Sequence, residues 1–252
     1  MTPGRHRRTT NRLLVPLLLL GLSFGSASIA QAGPGGADPG GADPGGAGLD
    51  EAADATVVDS TGQPGRTVAL TFDDGPNAGE TSSMLDLLGE HRVKAVFCLW
   101  GQHVRENPEL VRRIVAEGHV LCNHTMRHEN MSTWSPADIR ANLRATNEVI
   151  HEAVPGAEIR YFRAPYGAWG ETPSVAADMG MQPLGWSLSV ADWNRPGTDV
   201  LVRRLMGGVS QGGVVLLHDG GGDRGQTVRA VSRVIPRLRD EDWRFTLPAR
   251  SG

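Results

Sequence analysis

From Thr67 onward, short apolar, β-branched runs alternate with helix-spaced apolar patterns about seven times in about 185 residues. The runs Thr67–Phe72, Ala95–Leu99, His119–Cys122, Arg160–Arg163, Met181–Leu188 and Gly213–Leu217 read as strands, and Trp243–Thr246 closes the chain. Between them lie the helical repeats of Met84, Leu85, Leu87 and Leu88, and of Leu110, Val111, Ile114 and Val115. Asn107-Pro108-Glu109 starts the second of these and Gly118 stops it. Ser135-Pro136 opens a helix carrying Ile139, Leu143 and Ile150, and Thr198 opens one carrying Leu201 and Leu205. A shorter helix covers Ser174–Met179, and Val228 to Leu238 form the last. Such alternation forces a mainly parallel sheet covered by helices, either an open doubly wound sheet or a closed barrel. No Gly-x-Gly-x-x-Gly follows the first strand, which argues against a dinucleotide site.

In both architectures ligands bind at the carboxyl ends of the strands. Five of the expected strands end in polar residues: Asp73-Asp74, Asn123-His124, Arg163, Ser189 to Trp193, and His218-Asp219. Five polar clusters at one end of one sheet converge on one site. Asp73 and Asp74 are successive strand residues, whose side chains point in different directions, so they need not share one role. His124 and His128 are spaced so that two imidazoles can reach one metal. A carboxylate and two imidazoles suit Zn²⁺ with open coordination positions, and Fe²⁺, Co²⁺ or Ni²⁺ in principle. A second carboxylate and the distant His218 favour hydrolysis: a carboxylate takes a proton from water activated by the metal, and an imidazole protonates the leaving group. Arg163 can pair with the base.

Thr71-Phe72-Asp73-Asp74-Gly75-Pro76 resembles the first motif of the polysaccharide deacetylases, the NodB-homology enzymes of carbohydrate esterase family 4. His124-Thr125-x-x-His128, Arg163-Ala164-Pro165-Tyr166-Gly167, Asp192-Trp193 and Leu216-Leu217-His218-Asp219 resemble the remaining four motifs, in family order. The resemblance implies an α/β fold, a distorted (β/α) barrel of about seven parallel strands. It implies Asp74, His124 and His128 as metal ligands, with Zn²⁺ as the metal and Co²⁺ or Ni²⁺ as substitutes. Asp73 is then the base, Arg163 its orienting partner, the Tyr166 N–H the oxyanion donor and His218 the acid. Trp193, Leu216, Asp192 and Pro165 form the substrate pocket. The implied activity is removal of N-acetyl groups from peptidoglycan or chitin-type N-acetylglucosamine chains. Acetylxylan esterase activity and a non-catalytic glycan-binding barrel are the alternatives. At one position the chain departs from the family. Ser189 stands four residues before Trp193, where the fourth motif usually has an aspartate that tunes the acid histidine. A more acidic or broader pH–rate profile is therefore expected, unless Asp192 or Asp219 compensates.

The ends of the chain bear on location. Arg5, Arg7, Arg8 and Arg12 precede an apolar run from Leu13, and Ala30-Gln31-Ala32 supplies a small-x-small cleavage pattern. The run is shorter than the ~20 residues of a spanning helix, so residues 1–32 read as a signal peptide and not a stable membrane anchor. Residues 33–60, with their repeated Gly-Ala-Asp-Pro-Gly unit, read as a disordered linker, and 61–248 as the deacetylase domain. The net charge of −3 becomes four units more negative once the four arginines leave, which excludes nucleic-acid binding by bulk positive charge. The expectation is a secreted monomer, acting in the extracellular or cell-wall space on acetylated polysaccharide. An oxidising compartment permits a Cys98–Cys122 bridge, but two buried thiols fit the sequence equally.

Overall fold

The computed structural model describes residues 55–250. The expected signal peptide and most of the expected linker lie outside the described residues. Eight strands are present among the described residues: β1 (Thr67–Gly75), β2 (Val96–Leu99), β3 (Val120–Asn123), β4 (Ile159–Phe162), β5 (Gln182–Pro183), β6 (Leu188–Ser189), β7 (Gly213–His218) and β8 (Arg244–Phe245). Seven helices accompany them: α1 (Glu80–Glu90), α2 (Gly101–Glu106), α3 (Pro108–Ala116), α4 (Pro136–Ala153), α5 (Thr172–Ala177), α6 (Thr198–Gly208) and α7 (Gly225–Asp240). The strands form one parallel sheet in the order β5-β4-β3-β2-β1-β7-β6, with β8 beside the start of β1.

Chain length forces this sheet to curl. β5 and β6 sit at opposite edges, yet only Leu184–Ser187 joins them. Laid flat at ~4.8 Å per strand, the edges would stand about 29 Å apart. Five residue steps reach at most about 17 Å. The architecture is therefore the distorted α/β barrel expected, incompletely closed. The single strand expected over Met181–Leu188 is in fact two, because the chain crosses from one edge of the sheet to the other within it. Residues 56–60 were assigned to the linker, but they belong to this seam. The Val58 N–H donates to Pro183 O at 3.0 Å, the Gly185 N–H to Val58 O at 2.7 Å, and Gln182 Nε2 to Thr56 O at 2.7 Å.

Strand alternation divides the core. Val68, Leu70 and Phe72 of β1, Phe97 and Leu99 of β2, and Val215 and Leu217 of β7 pack under the helices. Their opposite-face neighbours Ala69, Val96, Cys98, Val120, Cys122 and Val214 fill the barrel with small groups. Continuing these inward positions by two residues gives Asp73 after Thr71, His124 after Cys122, Arg163 after Tyr161 and His218 after Leu216. The interior rows of the barrel thus end in the polar residues of the site. Cys98 and Cys122 are register partners on β2 and β3 and form a disulfide. Closing a loop of this length stabilises the fold by about 3 kcal/mol.

The expected helix start at Asn107-Pro108 is the boundary between α2 and α3; α2, with Gly101 at its start, was not anticipated. Ser135 caps α4 by accepting from Asp138 N–H at 3.2 Å.

Candidate active site

Asp73 and Asp74 both line one cavity of about 400 Å³, together with His124, His128, Ala164, Tyr166, Trp186, Trp193, Leu216 and His218. Successive strand residues should face opposite sides. A bulge removes that conflict: the β1–β2 register shifts between Asp73 and Gly75, and Asp74 has φ 73°. Thr125 (φ 67°), His128 (φ 62°), Tyr166 (φ 61°) and Ala191 (φ 52°) are also left-handed. Each costs a non-glycine residue of order 1–3 kcal/mol, and three of them, Asp74, His128 and Tyr166, line the cavity itself.

Asp74 Oδ1 lies 3.5 Å from His124 Nε2 and 3.6 Å from His128 Nε2. These separations are too long for good hydrogen bonds. They do match the ~3.4 Å between two donors that share a tetrahedral ion at about 2.1 Å from each. One ligand atom from each residue lies within 4.8 Å of the others. His124 Nδ1 sits 2.8 Å from the Arg163 carbonyl, which makes Nδ1 the protonated nitrogen and leaves the Nε2 lone pair for the site. Burial and neighbouring His124 lower the His128 pKa to about 4, so its imidazole is neutral at pH 7. Burial would raise the Asp74 carboxyl, but His124 and the other imidazoles hold it well below the usual range, so it is ionised. This donor set fits a divalent metal. The His124–His128 turn is fixed from behind, where Asn123 Oδ1 accepts from Thr125 N–H at 2.9 Å and Asn123 Nδ2 donates to Leu143 O and Asn147 Oδ1.

Asp73 faces the same space. Its Oδ2 lies 3.6 Å from His124 Nε2, and its Oδ1 accepts from Arg163 at 2.7 Å. Arg163 is fully buried, and its remaining bonds run to Thr71 Oγ1, Leu184 O and Gly185 O. Tyr166 occupies the middle of a 3-10 turn, Pro165–Gly167, whose closing bonds come from the Gly167 and Ala168 N–H groups.

On the opposite wall, His218 Nδ1 meets Asp192 Oδ1 at 2.8 Å. Asp192 Oδ2 accepts from the His218 N–H at 2.9 Å and from Thr227 Oγ1 at 2.8 Å. Burial alone would lower the His218 pKa; the bond to Asp192, its charge, and the charges of Asp73 and Asp74 raise it above the ordinary value. Of the two residues that could compensate for Ser189, the geometry selects Asp192. Ser189 is exposed on β6, and Asp192 supplies the carboxylate. Asp219 is not that partner: it accepts from Thr81 Oγ1 at 2.6 Å, and burial pushes its carboxyl up to about 7. Asp192 and Pro165 stand behind the lining of this cavity. Both are buried, Asp192 behind His218. Leu216 and Trp193 do line it, Trp193 edge-on to His218 at 5.3 Å between ring centroids.

Three further residues reach the site in roles that sequence reasoning did not assign. Trp100 Nε1 donates to Asp74 Oδ1 at 3.0 Å; it directly follows β2, so the strand-end rule could have found it. Ala164 sat inside a quoted motif without a role. Trp186 left no signal, because it lies in the misread strand.

The polysaccharide deacetylase family matches residues 60–184. A chitooligosaccharide deacetylase of Sinorhizobium fredii is 41% identical over 194 residues, 73% of this chain and 89% of that protein. The chain belongs to the polysaccharide deacetylase family. A peptidoglycan-N-acetylglucosamine deacetylase of Bacillus cereus is 35% identical over 183 residues, 71% of this chain and 85% of that protein. The crystal structure of the Bc1960 peptidoglycan N-acetylglucosamine deacetylase, in complex with an N-oxidanyl-benzamide compound, shares the fold with a TM-score of 0.70 and 32% identity. It covers 76% of this chain and 89% of that one. The polysaccharide deacetylase described here is thus a hydrolase of carbohydrate esterase family 4, with that family's curled barrel.

Proposed function

We propose that this deacetylase removes N-acetyl groups from N-acetylglucosamine units of a chitin-type or peptidoglycan chain, with zinc as its metal. The observation that carries this reading is the facing pair across one cavity: Asp73, tied to Arg163, on one side and His218, tied to Asp192, on the other. Asp74, His124 and His128 would hold the metal, which would supply Lewis-acid activation for the hydrolysis. Asp73 takes the proton of the attacking water, and Arg163 keeps the carboxylate turned toward it. The Tyr166 N–H stabilises charge developing on the carbonyl oxygen. As the C–N bond breaks, His218 delivers a proton to the leaving nitrogen, so acetate and a free amine result. Leu216 and Trp193 leave room for a methyl group and exclude longer acyl chains.

Acetate release from a panel of N-acetylglucosamine oligomers, peptidoglycan and acetylated xylan tests this. The N-acetyl substrates are turned over, and Asp73→Asn lowers kcat by about 10²–10⁴-fold. Release from xylan alone would establish the esterase alternative, and glycan binding with no release, with metal bound, the glycan-binding one.

The acid role of His218 sets the alkaline side of the pH–rate curve. His218 must be protonated, so activity falls as pH rises through its raised pKa. Asp192→Asn removes the main cause of that elevation and moves the alkaline limb to lower pH. An unmoved limb would show that another group delivers the proton.

We also propose action outside the cytoplasm. The n-region, apolar run and Ala30-Gln31-Ala32 support export, and the Cys98–Cys122 bridge suits an oxidising compartment. N-terminal sequencing of exported protein should begin at Gly33; an intact Met1 refutes cleavage.

A further inference from the structure

A second depression, of about 410 Å³, adjoins the catalytic cavity, and the two share Tyr166 and Trp186 as a common wall. Val57, Asp59 and Trp169 line its far side. The wall is built in. Gly167 lies at φ 66°, and a Cβ there would stand 3.0 Å from the Trp186 ring, so only glycine lets the turn press against the indole. Asp59 is exposed, but the strand segment carrying it is pinned by both backbone bonds of Val58 to the seam. The depression therefore offers the half-buried rings of Trp169 and Trp186 and one exposed carboxylate on a backbone pinned beside it.

That chemistry fits a pyranose. The axial C–H face of a sugar ring is apolar and lies on aromatic surface, while its hydroxyl and amide N–H groups donate to a carboxylate. A polymer whose acetamide occupies the catalytic cavity must pass its neighbouring unit over one of the cavity walls. We infer that the depression of Val57, Asp59, Trp169 and Trp186 is a subsite for the adjacent sugar unit, with Asp59 as its hydrogen-bond acceptor. The segment before the barrel thereby contributes to chain-length selectivity. The inference rests on the deacetylase reading above and assigns the part of the substrate that the reaction leaves unchanged.

Two measurements test it. The first compares kcat/KM for N-acetylglucosamine and its tetramer. The wild-type protein prefers the tetramer, and Asp59→Ala shrinks that preference about tenfold, as for loss of one charge-assisted hydrogen bond. The second titrates tryptophan fluorescence with the tetramer, using Asp73→Asn protein so that turnover is slow against the titration. Adding Asp59→Ala or Trp169→Leu weakens binding about tenfold. Tetramer binding that is equal with and without Asp59, or no tetramer binding at all, overturns the subsite. Intact, Asp59-dependent binding without acetate release from any oligomer would instead sink the deacetylase reading and leave the subsite standing.

Discussion

Replacing His124 by alanine is expected to abolish metal retention and to lower turnover on the order of 10³-fold or more, since Lewis-acid stabilisation is worth several kcal/mol. His124 is the most constrained of the three donors. It is buried, its Nδ1 is committed to the Arg163 carbonyl, and its Nε2 stands 3.5 Å from Asp74 and 3.6 Å from Asp73. His128→Ala loses one donor of the same set and should act in the same direction. Trp100→Phe keeps the ring stack on His103 and removes only the bond to Asp74; the loss there should be the 10–100-fold typical of groups that orient a metal ligand. Zinc content after dialysis and acetate release, measured on one preparation, check all three. Full turnover in metal-free His124→Ala would refute the proposed mechanism.

Arg163→Met is expected to destabilise the protein by about 3–5 kcal/mol, the usual cost of leaving a buried charge without its partner. For a domain of this size that lowers Tm by roughly 10–15 °C. Methionine keeps much of the volume but supplies no donors. It strands Asp73 Oδ1 and the carbonyls of Leu184 and Gly185, which lie in the link between the two sheet edges. Lysine keeps the charge but cannot reach four acceptors from one planar group, so Arg163→Lys should not restore stability. Adding Asp73→Asn to Arg163→Met removes the stranded charge and should recover part of the loss. Thermal melts of the set decide it; an Arg163→Lys protein that melts with wild type would show that charge alone matters.

Much of the site was legible because strand ends are legible. Asp73-Asp74, His124, Arg163 and His218 each follow an inward row of small or apolar residues, and a parallel sheet gathers all such ends on one side. The disulfide was not legible. Cys98 and Cys122 are 24 residues apart, and only the in-register pairing of β2 with β3 brings them together. The choice between Asp192 and Asp219 as the partner of His218 was not legible for a related reason. Counting back from Trp193 pointed to Ser189, but the residues from Ala191 to Arg195 form a turn flanked by two left-handed residues, and that turn swings Asp192 beneath His218.

The sequence by itself determined the alternation of strands and helices and which residue types end each strand. These follow from local periodicity and composition, which each segment carries alone. Tertiary structure decided that β5 and β6 lie at opposite edges, that residues 56–60 belong to the seam, that a bulge turns Asp74 to the same side as Asp73, and that Asp192 backs His218. Each of these depends on closing a curled sheet over a linker too short to let it lie flat, and sheet closure is a constraint on the whole chain that no single segment encodes.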